Sequence, residues 1–217
     1  MPTKSKIDLK KNRIRAFFHS LGADKETGEL TEEIQKIEKE GMAYIQLRLL
    51  VKVITEEFEN KVKEKVEHNV IKAEVREASY QDLRSIKDIY NKAWLTSSTP
   101  FRAIDIDTLE TIFEDKETVF LIAKVYGRDA GFIILDLEEG GKIGTIAGLG
   151  VLPRYQRKGL GTMMGIAAWN YFKEHYPNIE ELRAEVYQKN EVSYNFIKGL
   201  GFEEFDLKHY KKEDFEV

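Results

Sequence analysis

The chain has 217 residues, which is longer than a typical domain but too short for two enzyme-sized cores. Hydrophobic residues make up 42 % of it and charged residues 33 %, with a net charge of −4, a balance that excludes disorder and a globally basic nucleic-acid binder. The absence of cysteine excludes disulfides, thiolate nucleophiles and cysteine-based metal sites, and four scattered histidines argue against zinc. We therefore expect one catalytic-sized domain with an appendage and no metal site.

The hydropathy pattern predicts a cytoplasmic protein without membrane contact. The longest uncharged run, Gly159 to Phe172, has 14 residues, whereas a bilayer crossing needs about 20. The basic start of the chain lacks the apolar stretch of a signal peptide.

Residues 1–69 are predicted to form an N-terminal helical extension. Thr31, followed by two glutamates, has the character of a helix N-cap. Apolar residues then recur at intervals that fit one long helix, bent at Gly41. These apolar residues are Ile34, Ile37, Ile45, Leu49, Phe58, Val62 and Val66. Two roles stay open for this helix: the seam of a homodimer, or a layer packed on its own catalytic domain.

The first fifteen residues form a basic tail. It carries Lys4, Lys6, Lys10, Lys11, Arg13 and Arg15 against the single acid Asp8. Such a tail can contact nucleic-acid phosphates, but charges at chain ends are common and usually solvated. A solvated terminus is therefore the favoured interpretation, and a nucleic-acid partner is not expected.

From residue 70 to residue 217 the pattern alternates between strands and helices, which predicts a second, catalytic domain. Strands are predicted at "VIKAEVREA", "TVFLIAKVYG", "AGFIILDLEEG", "KIGTIAGLGV", "ELRAEVYQKN" and "FEEFDLKHYKK". Helices are predicted at "YQDLRSIKDIYNKAW", "TLETIFED", "GLGTMMGIAAWNYFKEHYP" and "EVSYNFIKGLG". The second, third and fourth strands have turn-length gaps between them, as in an antiparallel meander.

The segment "VLPRYQRKGLGTMMG" joins a predicted strand to a predicted helix through a basic loop. In it, Arg154, Arg157 and Lys158 precede Gly159 and Gly161. A helix N-terminus presents unpaired N–H groups and partial positive charge, and glycine lets those amides approach an anion. Glycine also serves turns and close packing, so the spacing alone leaves phosphate binding and a structural role equally open.

Two blocks of the sequence resemble the GNAT superfamily of acyl-CoA-dependent N-acyltransferases. Residues 156–161, "QRKGLG", resemble its Gln/Arg-x-x-Gly-x-Gly/Ala signature, and Val151-Leu152-Pro153 resembles the Val-x-Pro that precedes it. In the later block "NEVSYNFIKGLGF", Asn190, Ser193 and Gly201-Phe202 stand at the family's spacing. The two motifs, their order and the strand-helix pattern all agree with this superfamily.

The resemblance covers residues 70–217 and implies an α/β (α+β) fold. A mixed, mostly antiparallel sheet would be flanked by helices, and acetyl-CoA would lie as cosubstrate in an opening beside the glycine loop. The resemblance implies that the pyrophosphate sits on the amides of Arg157 to Thr162 and that the pantetheine arm pairs with Leu149 to Val151. The alternative for the glycines of that strand is ordinary strand bending. The implied cofactor-binding residues are Leu149, Gly150, Val151, Gln156, Arg157, Lys158, Gly159, Leu160, Gly161, Thr162 and Asn190.

Glu185 is the candidate catalytic base. Alternation along "RAEVYQKN" puts Glu185 and Tyr187 on one face of the strand and a small apolar pair on the core face. By the resemblance, Glu185 stands where protein N-terminal acetyltransferases similar to the ribosomal-protein branch carry a glutamate base. The alternative is a solvent-facing sheet charge, and Asp136 and Glu138 are rival bases.

The candidate general acid is Tyr194. The family's usual tyrosine, seven residues after Asn190, is replaced here by Ile197. Tyr194 lies about one helical turn earlier, and Tyr187 is a further candidate together with Tyr210. These tyrosines could equally be ordinary core aromatics, and a thiolate with a pKa of about 8.5 can leave without a dedicated acid.

The acceptor is expected to contact the loop "TSSTPFRAIDID" and the segment around His209-Tyr210. Asp105 and Asp107 could attract a cationic amine, but capping of the following helix is slightly favoured. The resemblance implies an N-acetyltransferase that moves an acetyl group to a protein N-terminus, a lysine or a small amine by direct attack. The alternative is a non-catalytic module that binds or senses acyl-CoA.

Overall fold

A computed structural model describes residues 39–67, 71–100 and 103–215. The strands in these ranges are β1 (Met42–Leu50), β2 (Ala73–Glu77), β3 (Thr118–Val125), β4 (Arg128–Glu138), β5 (Ile143–Val151), β6 (Glu181–Tyr187) and β7 (Glu203–Tyr210). The α-helices that lie wholly in them are α1 (Glu56–Glu67), α2 (Leu83–Trp94), α3 (Ile106–Phe113), α4 (Leu160–His175) and α5 (Glu191–Gly199). None of the helices in this part of the chain is long and apolar enough to cross a membrane.

The seven strands form one sheet in the order β2-β3-β4-β5-β6-β1-β7. Neighbouring strands are antiparallel except β5 and β6, which run parallel. β1 is inserted between β6 and β7, although it precedes them by more than a hundred residues. The predicted mixed, mostly antiparallel sheet with flanking helices is confirmed, and so are the strands and helices predicted beyond residue 70.

Helices cover the two faces of the sheet unequally. On the α1/α4 face, a large core spans the sheet from β3 to β1 and includes Leu47, Ile133 and Phe172. On the α2/α3 face, a smaller core includes Ile86 and Phe132, and none of its described members comes from β6, β1 or β7. The α2/α3 face of those three strands is therefore where polar and aromatic side chains collect.

A bulge and a strand separation open the sheet at its centre. The pairing of β5 with β4 shifts register between Ile134 and Leu135, which leaves Ala147 as the extra residue. The parallel pairing of β5 with β6 ends at Ile146. Beyond that point the two strands diverge, and the opening lies between the end of β5 and the end of β6.

The long helix predicted across residues 34–66 is wrong for Met42–Leu50, which form β1. Ile45 and Leu49 are four residues apart and fit either a helix face or alternate positions of a strand. Leu47 between them packs in the same core and reveals the period of two. These residues are mostly good helix formers, but pairing with β6 on one side and β7 on the other outweighs that local preference.

The rest of the predicted extension has two outcomes. α1 is a helix as predicted, and its Phe58 and Val62 pack on the core of the α1/α4 face. Residues 1–38, with the basic tail and the N-cap at Thr31, lie outside the described residues. The homodimer seam, the nucleic-acid arm and a domain boundary after residue 69 stay predictions, whereas β1, which precedes that boundary, is a strand of the catalytic sheet.

The carboxylate of Glu59 joins α1 to α4. Its Oε1 accepts hydrogen bonds from Trp169 Nε1 at 2.9 Å and Lys173 Nζ at 2.8 Å, and its Oε2 accepts from Lys63 Nζ at 3.3 Å. These bonds, Lys173 first, lower the pKa of Glu59 from 4.5 to about 2. The charged carboxylate therefore fastens the N-terminal part of the described chain to the long helix α4.

Candidate active site

A cleft of about 760 Å³ opens where β5 and β6 separate. This volume is in the range of small-molecule and cofactor sites. The ends of β5 and β6, the starts of α4 and α5, and the loop between α2 and α3 form its walls. Lining residues include Thr96, Ser97, Thr99, Asp136, Glu138, Leu149, Gly150, Val151, Gln156, Arg157, Gly159, Gly161, Thr162, Glu185, Tyr187, Asn190, Ile197 and Tyr210.

The basic loop before α4 forms one end of the cleft. Gly159 is the N-cap of α4 with φ +80°, and Arg157 also has a positive φ, +56°. This conformation is natural for glycine but strained for arginine, and such strain concentrates at ligand sites. Because Gly159 has no side chain to cap the helix, the amides of Leu160, Gly161 and Thr162 can bind an anion.

The end of β5 turns backbone groups toward the cleft. The Leu152 N–H donates to the Ala130 carbonyl on β4 at 2.9 Å. Since hydrogen bonds alternate along an antiparallel strand, Leu149 and Val151 direct their peptide groups to the other edge, where β6 has separated. Gln156 Nε2 donates to the Val151 carbonyl at 2.9 Å, which ties the glycine loop to this strand end.

Packing also requires two of the glycines assigned to the cofactor. A Cβ on Gly150 would lie 2.4 Å from Cε1 of Phe132, and a Cβ on Gly161 would lie 3.1 Å from Cε2 of Phe196. A larger residue at Gly161 would therefore disturb the contact between α4 and α5 as well as any anion nearby.

Three of the predicted cofactor residues are placed differently from the others. The Leu160 side chain is buried in the core of the α1/α4 face, and Lys158 is exposed and outside the cleft lining. Leu160 can contribute its backbone N–H, and Lys158 adds positive charge to the loop. Asn190 lines the cleft, but its side chain is engaged by other parts of the protein.

Asn190 links two walls of the cleft. Its Oδ1 accepts from the Ser193 N–H at 3.1 Å and so caps α5. Its Nδ2 donates to Ser97 Oγ at 3.0 Å and to Thr99 Oγ1 at 2.8 Å, both in the loop between α2 and α3. This geometry supports a role in positioning the acceptor wall, and it occupies the polar atoms that a cofactor contact would use.

Glu185 lies on β6 and faces the cleft. Its neighbours Ala184 and Val186 are buried in the core of the α1/α4 face, so the predicted orientation of the strand is confirmed. The Tyr210 hydroxyl on β7 donates to Glu185 Oε2 at 3.0 Å, with Oε1 at 3.3 Å. A carboxylate and a phenol from different strands therefore meet in the cleft.

Sequence reasoning missed the contribution of Tyr44 on β1. Its ring centroid lies 5.5 Å from that of Tyr210, edge to face at 79°, and 5.7 Å from that of Tyr187. Tyr44 is almost fully buried. The signal was the alternation of Tyr44 and Gln46 with Ile45 and Leu47, which a helical interpretation of the segment hides.

The structure does not bring Tyr194 into the cleft. Tyr194 packs on the α1/α4 face, and its hydroxyl donates to Glu204 on β7, which raises the pKa of the phenol. Ile197, at the position of the family tyrosine, is buried and does line the cleft. The general-acid role predicted for Tyr194 therefore has no geometric support.

The structure also locates the two rival bases and the predicted helix cap in the acceptor loop. Asp136 and Glu138 line the cleft, and each accepts a hydrogen bond of 2.7 Å, from Thr118 Oγ1 and Thr145 Oγ1 respectively. Asp105 caps α3 by accepting from the Thr108 N–H at 2.7 Å, which lowers the pKa of its carboxyl. The favoured capping role of Asp105 is confirmed.

Comparison with known proteins agrees with this geometry. The model of the acetyltransferase (GNAT) family matches residues 83–202. An N-alpha-acetyltransferase of Sulfurisphaera tokodaii is 34 % identical over 108 residues, which cover 45 % of this chain and 64 % of the relative. The chain thus spans just under two thirds of that relative's length.

Solved structures share the fold at low identity. The ribosomal-protein-S18-alanine N-acetyltransferase from Escherichia coli has a TM-score of 0.53 at 20 % identity, with 62 % of this chain and 80 % of that chain covered. An aminoglycoside N-acetyltransferase in complex with CoA has a TM-score of 0.54 at 17 % identity, with 67 % and 97 % covered. The chain belongs to the acetyltransferase (GNAT) family, whose members use acetyl-CoA as cosubstrate.

Proposed function

We propose that the protein transfers the acetyl group of acetyl-CoA to an amine, which attacks the thioester directly. One observation carries the proposal: Glu185 faces the cleft directly after Ala184, the last residue of β6 that pairs with β5, and the anion-binding loop lies at the other end. A base and a site for the phosphates thus lie in the same cleft.

The cofactor end supplies donors for the anionic and amide groups of CoA. The amides at the start of α4 suit the pyrophosphate, because they carry the partial positive charge of the helix. The backbone of Leu149 and Val151 suits the pantetheine arm, because it faces the opening where β6 no longer pairs with β5. This orientation would leave the thioester near the end of β5.

The chemistry needs a base because amines are largely protonated at neutral pH. The ammonium group first releases one proton to solvent. The neutral amine nitrogen then forms a bond to the acetyl carbon, its second proton passes to the Glu185 carboxylate, and the carbon–sulfur bond breaks. The hydrogen bond from Tyr210 fixes the orientation of the carboxylate. Water between the amine and Glu185 could carry the same proton.

A protein N-terminus is the acceptor that we favour. The α-amino group titrates near about 8 and the lysine side chain near about 10.4, so a carboxylate base is better matched to the former. The name of the Sulfurisphaera relative, an N-alpha-acetyltransferase, supports the same class. Lysine side chains and small amines are the alternatives.

The test is thiol release from acetyl-CoA across a panel of N-terminal peptides, polyamines and small amines. With the best amine of the panel, Glu185→Gln should lower kcat by about 10² to 10⁴-fold at unchanged CoA affinity, because the amide cannot accept the proton. Asp136→Asn and Glu138→Gln are matched controls that also line the cleft. If either control loses turnover while Glu185→Gln keeps it, the base has been misassigned.

A non-catalytic acyl-CoA-binding module is the second candidate. The observation in its favour is Ile197, an apolar residue where the family carries a catalytic tyrosine. Saturable CoA binding, together with no thiol release from acetyl-CoA in the presence of any amine of the panel, would establish this alternative.

A further inference from the structure

We infer that Tyr210 is the catalytic acid that protonates the departing CoA thiolate, and that Glu185 resupplies its proton. This inference rests on the proposed acetyl transfer. It assigns the protonation of the thiolate to a residue of the cleft. Ile197 has no proton to donate in this step, and the Tyr194 hydroxyl donates to Glu204 instead.

Two tyrosines among the described residues line the cleft, Tyr187 and Tyr210. Tyr210 donates to Glu185 at 3.0 Å, so its hydroxyl is directly coupled to the proposed base. Only 4 % of Tyr210 is exposed, and the part that reaches the cleft is therefore small and defined. An acid linked in this way responds to the protonation state of its partner.

The hydrogen bond supplies a mechanism for returning the proton. Before attack, the Tyr210 hydroxyl donates to the carboxylate of Glu185. After Glu185 takes the amine proton, its carboxyl group becomes a donor, and the bond to Tyr210 can reverse. The phenol proton is then free to pass to the thiolate, while Tyr210 takes the proton of Glu185. Counted from the neutral amine, the nitrogen has lost one proton, the thiol has gained one, and both side chains end as they began.

Neighbouring groups fix the ring of Tyr210. The edge-to-face contact with Tyr44 holds it from β1, and Lys208 Nζ lies 4.8 Å from its ring centroid on the same strand. The titratable groups that face Tyr210 include Glu185 and Tyr187 on β6, Tyr44 on β1 and Lys208 on β7. A fixed ring keeps the hydroxyl within reach of Glu185 throughout the cycle.

The location of Tyr210 explains why a motif search does not find it. The family model ends at residue 202, and β7 begins at Glu203. The proposed acid is therefore supplied by a strand outside the matched region, and the strand that holds its ring, β1, also lies outside it.

The test compares Tyr210→Phe with Tyr194→Phe, using acetyl-CoA and the best amine of the panel. Tyr210→Phe should lower kcat by about 10²-fold at unchanged CoA affinity. The wild-type pH profile should fall on the basic side, where the acid loses its proton, and this basic limb should be absent from the Tyr210→Phe profile. Tyr194→Phe should keep both the rate and the limb, because the Tyr194 hydroxyl donates to Glu204 and the residue does not line the cleft.

A second acetyl donor distinguishes a role of Tyr210 in protonating the leaving group from a role in positioning Glu185. The selenoester analogue of acetyl-CoA has a more acidic leaving group, so the deficit of Tyr210→Phe should shrink with it. A wild-type rate, an unchanged basic limb, or an equal deficit with both donors would overturn the assignment of Tyr210 even if Glu185→Gln still loses turnover. Absence of turnover with every amine would instead overturn the proposed function, and this inference with it.

Discussion

The two ends of the cleft are built in different ways. The end that we assign to the cofactor comes from residues 149–162, one continuous stretch inside the region that the family model matches. The end to which we assign proton transfer brings together Tyr44, Glu185 and Tyr210 from three adjacent strands, and two of these residues lie outside that region. A local motif can thus be shared widely, whereas the chemistry at the acceptor end depends on how distant segments of this chain pair.

Removal of β1 should have the largest effect, because it tests whether both ends of the cleft depend on this strand. A variant that begins at Lys39 keeps β1, whereas one that begins at Asn69 loses β1 and α1. Without β1, β6 and β7 lose a partner on one edge each, and the core loses Leu47 and Leu49. We expect cooperative thermal unfolding and CoA binding for the first variant and no cooperative transition for the second. A folded second variant that still binds CoA would show that β1 is dispensable.

Substitutions on opposite faces of β1 should separate its contribution to stability from its contribution to catalysis. Leu47→Ala removes core contacts on the α1/α4 face and should cost about 2–5 kcal/mol of unfolding free energy, without changing the pH profile of the folded enzyme. Tyr44→Leu removes the ring that holds Tyr210, so kcat should fall by up to about 10²-fold and the basic limb should move. Tyr44→Phe keeps the ring and should restore the rate. Equal pH profiles for Tyr44→Leu and Leu47→Ala would mean that β1 acts through stability alone.

Glu59→Gln should have the smallest effect, because Glu59 lies away from the reacting groups. At neutral pH the substitution should lower the free energy of unfolding by about 1–2 kcal/mol, allowing for screening by solvent. The pKa of Glu59 is lowered by Lys173 and Trp169 from 4.5 to about 2, so its contribution is complete above about pH 4.5 and is lost as the pH falls toward 2. The difference in stability between variant and wild type should therefore disappear over that window, and Trp169 emission during denaturant titrations can report it. A constant difference down to pH 2 would contradict this assignment.

Much of the fold after residue 70 could be predicted because its signals are local. The glycine loop, the apolar helix α4 and the alternation that orients Glu185 each lie within about 20 residues of sequence. Their face and order follow from the periods of helix and strand.

The pairing of Glu185 with Tyr210 could not be predicted, because it depends on strand order. Which strands become neighbours is set by packing and hydrogen bonding over the whole sheet, and no short pattern records it. Tyr194 illustrates the same limit: it lies about one helical turn before the position of the family tyrosine, but its side chain packs on the other face of the sheet from Glu185.

The insertion of β1 also has a consequence for synthesis. Met42–Leu50 leaves the ribosome before its partners β6 and β7, which follow more than a hundred residues later, a delay of about 10 s at ordinary translation rates. During that time the segment has no strand to pair with, and its local preference for helix can keep it from pairing with other nascent chains. The residues that obscure β1 in the sequence would then protect it until the last strand of the sheet has emerged.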